Sequence, residues 1–244
     1  MKNHRTKFTI FAAAVILAVV PAASAQLSTL RITEVMSSSG SGGTVDWFEV
    51  TNFDLTTAVD ITGWKMDDNS FNSASSVALV GLTSIGAGQT AVFLETAAPG
   101  TAIAAFRTFW GSAADSIAIG SYTGSGVSFG SGGDGVVLFD SVGVEKTPRT
   151  SFGAATTGST FFWGYDTNGD FSTYGSSSNG AISTVGTIDG LTFDQVAYTS
   201  DNVLGNIGSP GTAITAVPEP STFALLALAG AGLAGWRFRA RVRR

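Results

Sequence analysis

Leu30-Arg31-Ile32-Thr33-Glu34-Val35-Met36, a serine- and glycine-rich stretch from Ser37 to Gly43, and Asp46-Trp47-Phe48-Glu49-Val50-Thr51-Asn52 decide the fold class. Both runs are rich in β-branched and aromatic residues, which suit a pleated surface, and both alternate, the first imperfectly. Further short runs of the same character at 59–66, 77–82, 90–94, 116–120, 135–140, 159–163 and 192–198 extend the pattern. Short strands at this spacing, punctuated by turn residues, predict a β-sandwich or barrel. One helix is expected over 101–110, where Ile103, Phe106 and Phe109 recur at helical spacing before Gly111. The stretches 111–135 and 164–190 read as loops, with Asn168-Gly169, Asn179-Gly180 and Asp189-Gly190 marking tight turns. Ile207-Gly208-Ser209-Pro210-Gly211 is expected to stop regular structure, and 212–217 to be a linker.

Both ends differ from this body. Lys2, Arg5 and Lys7 precede an apolar run from Phe8 to Val20, and Pro21 leads to Ala23-Ser24-Ala25. A positive head, a short apolar segment and a small-residue site predict a signal peptide over 1–25, cut after Ala25. At the other end, Val217-Pro218-Glu219-Pro220 is followed by an apolar stretch carrying Phe223, Leu225, Leu226, Leu228, Leu233 and Trp236. Arg237, Arg239, Arg241, Arg243 and Arg244 close the chain. The pattern predicts a single transmembrane helix with its arginines in the cytosol and the body on the other side. About 16 helical residues reach only about 24 Å, so arginine snorkelling and a thinned bilayer complete the span.

Charge follows the same division. Between Gln26 and Pro220 stand five basic residues against eighteen acidic ones, a charge of −13 hidden within the whole-chain value of −5. Such a surface repels phosphate backbones, so no nucleic-acid partner is expected. Cysteine is absent, and the one histidine, His4, lies in the signal segment. A body without imidazole or thiol lacks the means for Ser-His-Asp or Cys-His chemistry, and the expectation is a protein that is not an enzyme.

The C-terminal Pro-Glu-Pro, apolar span and arginine cluster resemble the PEP-CTERM sorting signal. The resemblance implies an exosortase-type transpeptidase as partner, cleavage near Pro218-Glu219-Pro220, and delivery to the cell surface or exopolysaccharide matrix. The body is similar to a lamin tail domain. The likeness rests on the two opening blocks, Val59-Asp60-Ile61-Thr62-Gly63-Trp64-Lys65-Met66-Asp67-Asp68, Ile85-Gly86-Ala87-Gly88-Gln89, Gly133-Asp134-Gly135-Val136-Val137-Leu138-Phe139-Asp140 and the closing Ser209-Pro210-Gly211. It implies an all-β, immunoglobulin-like β-sandwich, and a scaffold rather than a mechanism.

Four constellations could carry chemistry. Asp166, Asn168 and Asp170 have the opening spacing of a calcium loop, but Phe171 and Ser177 occupy positions where glycine and a bidentate glutamate belong. Structural Ca²⁺ is the one ion the sequence suggests, with an acidic turn as the alternative. Gly130-Ser131-Gly132-Gly133-Asp134-Gly135 satisfies the dinucleotide fingerprint in letters only, since a strand follows it, and it reads as a hairpin loop. Glu34 with Glu49, or Asp67 with Asp68, are the carboxylate pairs a glycoside hydrolase would need. Trp47 and Trp64 read as core, whereas Trp163 and Tyr165 are expected to be an exposed aromatic pair for a lectin-like contact. The domain reading is a signal peptide over 1–25, a sandwich ectodomain over 26–213 and a sorting signal over 214–244. It describes an inner-membrane-tethered precursor, exported through the Sec translocon and cut by signal peptidase, whose mature body works structurally or adhesively at the surface or in the matrix.

Overall fold

A computed structural model describes residues 28–40, 43–165, 180–185, 198–199 and 205–212. The first strands are β1 Leu30–Met36, β2 Trp47–Asn52, β3 Val59–Asp60, β4 Lys65–Asp67, β5 Val77–Ala78, β6 Ser84–Ile85 and β7 Thr90–Glu95. Helix α1, Pro99–Trp110, and a 3-10 turn, Gly111–Ala114, come next. Then follow β8 Ala118–Tyr122, β9 Asp134–Phe139, β10 Thr150–Phe152, β11 Phe161–Phe162, β12 Ala181–Ile182, β13 Tyr198–Thr199 and β14 Ile207–Gly208.

The larger sheet has six strands in the order β12-β11-β1-β2-β7-β8, and the smaller has four in the order β10-β9-β4-β5. Leu30, Ile32, Phe48, Val50 and Phe93 of the large sheet meet Met66, Val136, Leu138 and Phe152 of the small one in a continuous core. The architecture is the sandwich expected, mostly β with one α-helix among the described residues. That helix adds a third layer. Met36, Trp47, Val92 and Leu94 on the outer face pack against Phe106, Phe109 and Trp110 of α1. Trp47 meets Phe106 and Trp110 edge-on at 5.6 and 6.1 Å.

Two covered faces explain why β1 and β2 are buried at every position, so that strict alternation of apolar and polar residues is not required of them. α1 is two residues longer than the expected 101–110, because Pro99 supplies the pre-set backbone angle at its first turn. Its C-terminal end is bound by Arg107, which donates to the carbonyls of Ala114, Asp115 and Ile117.

Several expected elements shift. The run 59–66 is two strands, β3 and β4, broken by a turn at Gly63 with φ of +73°. The glycine-rich 130–135 segment is not a hairpin loop: β8 before it belongs to the large sheet and β9 after it to the small one, so the chain crosses between layers there. Ile207 and Gly208 do not stop regular structure but form β14, paired with β13. Thr150–Phe152, read from sequence as part of no strand, pairs with β9. Among the described residues no helix is long and apolar enough to cross a membrane.

Candidate functional site

β1 and β2 are antiparallel, with a β-bulge between Ile32 and Glu34. The extra residue re-aims the strand, so that Thr33 and Glu34 both serve the outer face. Glu34 then stands directly opposite Glu49 in register, and both side chains are fully buried. The two glutamates singled out in the sequence therefore meet.

They are sealed by the end of the described chain. Glu34 Oε1 accepts hydrogen bonds from the Thr160 hydroxyl and from the backbone N–H of Ser209, the latter at 2.8 Å. Glu49 Oε1 accepts from Thr33 Oγ1 and its Oε2 from the Gly211 N–H, both at 2.6 Å. Close approach is required here. A Cβ on Gly208 would stand 2.7 Å from Glu34 Oε1, and one on Gly211, whose φ is +89°, would stand 2.8 Å from Ile117 Cγ1. Burial pushes the Glu49 carboxyl up to about 7, against the opposing hydrogen bonds from Thr33 and Gly211.

This arrangement is closed to a sugar ring. A glycosidase pair must flank a bond in an accessible cleft, whereas Glu34, Glu49 and the overlying Ser209 are at most 1% exposed. The alternative pair, Asp67 and Asp68, splits as strand geometry requires. Asp67 is buried and accepts from Ser70 Oγ, the Asn72 N–H and Ser75 Oγ at 2.6 to 2.9 Å, while Asp68 is half-buried and accepts from the Ser70 N–H. Asp67 organises the loop that follows it.

The expected exposed aromatic pair is overturned. Trp163 and Tyr165 are fully buried. Trp163 packs on Phe152, and the Tyr165 hydroxyl donates to the Ile32 carbonyl at 2.8 Å. The reason is positional: their segment continues β11, which lies beside β1, and Phe161, Trp163 and Tyr165 join the same core. Trp47 and Trp64 are core, as read.

A second acidic pair was not foreseen. Asp46 precedes β2 and Glu95 ends β7, joined by a backbone bond from the Glu95 N–H to the Asp46 carbonyl. Burial, then the charge of Glu95, push the Asp46 carboxyl up to about 7. Among the described residues no group of three or more metal-ligating side chains occurs. The calcium candidates Asp166, Asn168 and Asp170 lie outside the described residues, as do Ala23, Ala25, the Val217–Pro220 motif, the apolar span and the arginine cluster.

Family models place these features. The model of the lamin tail domain matches residues 23–155, more than half of the chain. The model of the PEP-CTERM protein-sorting motif matches residues 216–244. No match to a curated protein was found. The first match ends at Ala155, yet β11 and β12 continue the same sheet and Ser209–Gly211 closes it, so the folded unit outruns the matched segment. The motif at the C-terminus marks the product as an exosortase substrate exported to the cell surface. The chain belongs to the lamin tail domain family and ends in a PEP-CTERM protein-sorting motif.

Proposed function

We propose that the chain is a precursor whose two ends direct the traffic of a structural or adhesive body. Residues 1–25 send it through the Sec translocon and are removed by signal peptidase. The apolar span then holds it in the inner membrane with its arginines in the cytosol. An exosortase-type transpeptidase cuts near Pro218-Glu219-Pro220, where two prolines keep the backbone extended and out of helix. The body passes to the surface or to an exopolysaccharide matrix, where it acts without catalysis.

The observation that carries this reading is the order of Pro-Glu-Pro, apolar span and arginine cluster at the chain's end. The body supports it. The tryptophans among the described residues, Tyr122, Tyr165 and the two facing glutamates are buried, and the body's acidic, hydroxyl-rich composition suits a hydrated matrix. Mass spectrometry of the protein recovered from envelope and medium tests it. A product beginning at Gln26 and ending near Pro218 is expected, and an intact 244-residue chain in the cytosol would refute it.

A further inference from the structure

The junction between body and tail is held in an unusual way. Upstream, Ile207 is fixed by backbone bonds: its N–H donates to the Gly158 carbonyl at 2.7 Å, and its carbonyl accepts from the Thr160 N–H at 3.0 Å. Ser209 and Gly211, by contrast, hang on two carboxylates: the Ser209 N–H and, at 3.4 Å, its hydroxyl donate to Glu34, and the Gly211 N–H donates to Glu49. Thr212 donates back to the Ser209 carbonyl, and the described segment ends there.

Two facing carboxylates taken out of water resist carrying two full charges, which favours a proton held between them. The charged side chains on the surrounding described elements are few. Arg31 on β1 donates to the carbonyls of Ser28 and Leu30. Arg107 on α1 is engaged with the carbonyls after that helix, and Asp115 follows the 3-10 turn. The proton also has a route. Thr33 Oγ1 lies 3.1 Å from Thr51 Oγ1, which lies 3.0 Å from the half-buried Thr90 Oγ1, a row of hydroxyls leading outward from Glu49.

We propose that Ser209–Gly211 is a releasable clasp whose grip follows the proton held by the Glu34–Glu49 pair, and that its state sets how many residues lie between the folded body and Pro218. With the clasp closed, five residues separate Thr212 from Pro218, a reach of roughly 20 Å at most. Release back to Ile207 frees residues 208–212 as well, adding roughly 17 Å. The clasp closes in acid, where the pair keeps its proton, and loosens as the pH rises, because water reaching the opened pair relieves a desolvation that outweighs the stronger N–H bonds a carboxylate accepts. The spacing half of this proposal rests on Pro218-Glu219-Pro220 being the processing site; the clasp itself does not.

Hydrogen–deuterium exchange of the full chain in detergent micelles tests the clasp, read on the peptide covering 205–212 and corrected for its intrinsic rate. Between about pH 5 and about pH 7.5, protection should fall about a hundredfold in the wild type and stay level in Glu49→Gln. Gly211→Ala should lose protection at both values. Equal wild-type protection across this range, or the same fall in Glu49→Gln, overturns the clasp. Should Glu49→Gln fail to fold, infrared spectroscopy of Asp46→Asn decides, since Asp46 also holds its proton to about 7. A protonated-carboxyl band lost over the same range supports the clasp, and its absence at the acid end overturns it.

In cells, Gly211→Ala and a chain with five residues inserted after Thr212 should be processed at a common rate that differs from the wild type. Equal rates for all three overturn the spacing half. If none is cut near Pro218, the processing reading falls and takes the spacing half with it, while the exchange result still decides the clasp.

Discussion

Over β1 and β2 the two faces of the six-stranded sheet are both dry, and they are dry for different reasons. The inner face is covered by a second sheet and filled with rings: Phe48 stacks on Phe93 at 5.3 Å and leans on Tyr122 at 5.5 Å. The outer face is divided. Its upper half is apolar under α1, and its lower half holds Glu34, Glu49, Thr33 and Thr51 beneath Ser209–Gly211. Dispersion and water exclusion stabilise the first face at any pH. The lower half of the second depends on every polar group finding a partner and on the charge state of two acids. One sheet thus combines a permanent seam with a conditional one.

Three measurements bear on that contrast. Phe48→Ala should have the largest effect, destabilising by about 3–5 kcal/mol in denaturant unfolding, equally at acid and neutral pH. A pH-dependent loss would dissolve the distinction between the faces.

The conditional seam predicts a stability curve with a definite slope. Glu49 binds its proton more tightly in the folded protein than its ordinary 4.5, holding it to about 7. Between these values the native state carries the extra proton, so stability falls as pH rises from 4.5 to 7, by roughly 3 kcal/mol, and levels off above. Asp46 acts in the same direction. Asp54 and Asp60 act oppositely. Hydrogen bonds from Thr56 and Thr62 hold them below 3.8, so their contribution is lost as pH falls through that region. Thermal melts across pH should peak between about 4 and 5. Glu49→Gln should reduce the neutral-side slope and leave the share due to Asp46, and an unchanged slope would place the titration elsewhere.

The smallest effect sharpens the same comparison. Thr51→Val removes the middle hydroxyl of the row from Thr33 to Thr90 and should cost about 1 kcal/mol in urea unfolding. A stabilising Val would mean that the lower outer face tolerates apolar filling like the inner one.

What the sequence shows plainly is whatever depends on neighbours in the chain. The strand blocks, the helix before Gly111 and the C-terminal motif are all local patterns. Glu34 and Glu49 were visible as acids within strands, but their separation was not, because register depends on the bulge at Thr33. Trp163 and Tyr165 were misread even though Phe161, Trp163 and Tyr165 alternate as a buried strand would. Asp166-Thr167-Asn168-Gly169 beside them in the sequence suggests exposure, while the position of β11 beside β1, a pairing across more than a hundred residues, decides burial. Residues 207–211 look like a terminator because glycine and proline dominate locally; the acids that hold Ser209 and Gly211 lie in the first two strands.

That distance orders events. The bonds from Ser209 to Glu34 and from Gly211 to Glu49 span 175 and 162 residues, so the first hairpin of the body waits for almost the last residues before it is complete. A chain made from its N-terminus delivers those residues late. A product broken off early thus leaves two acids of its first hairpin uncovered.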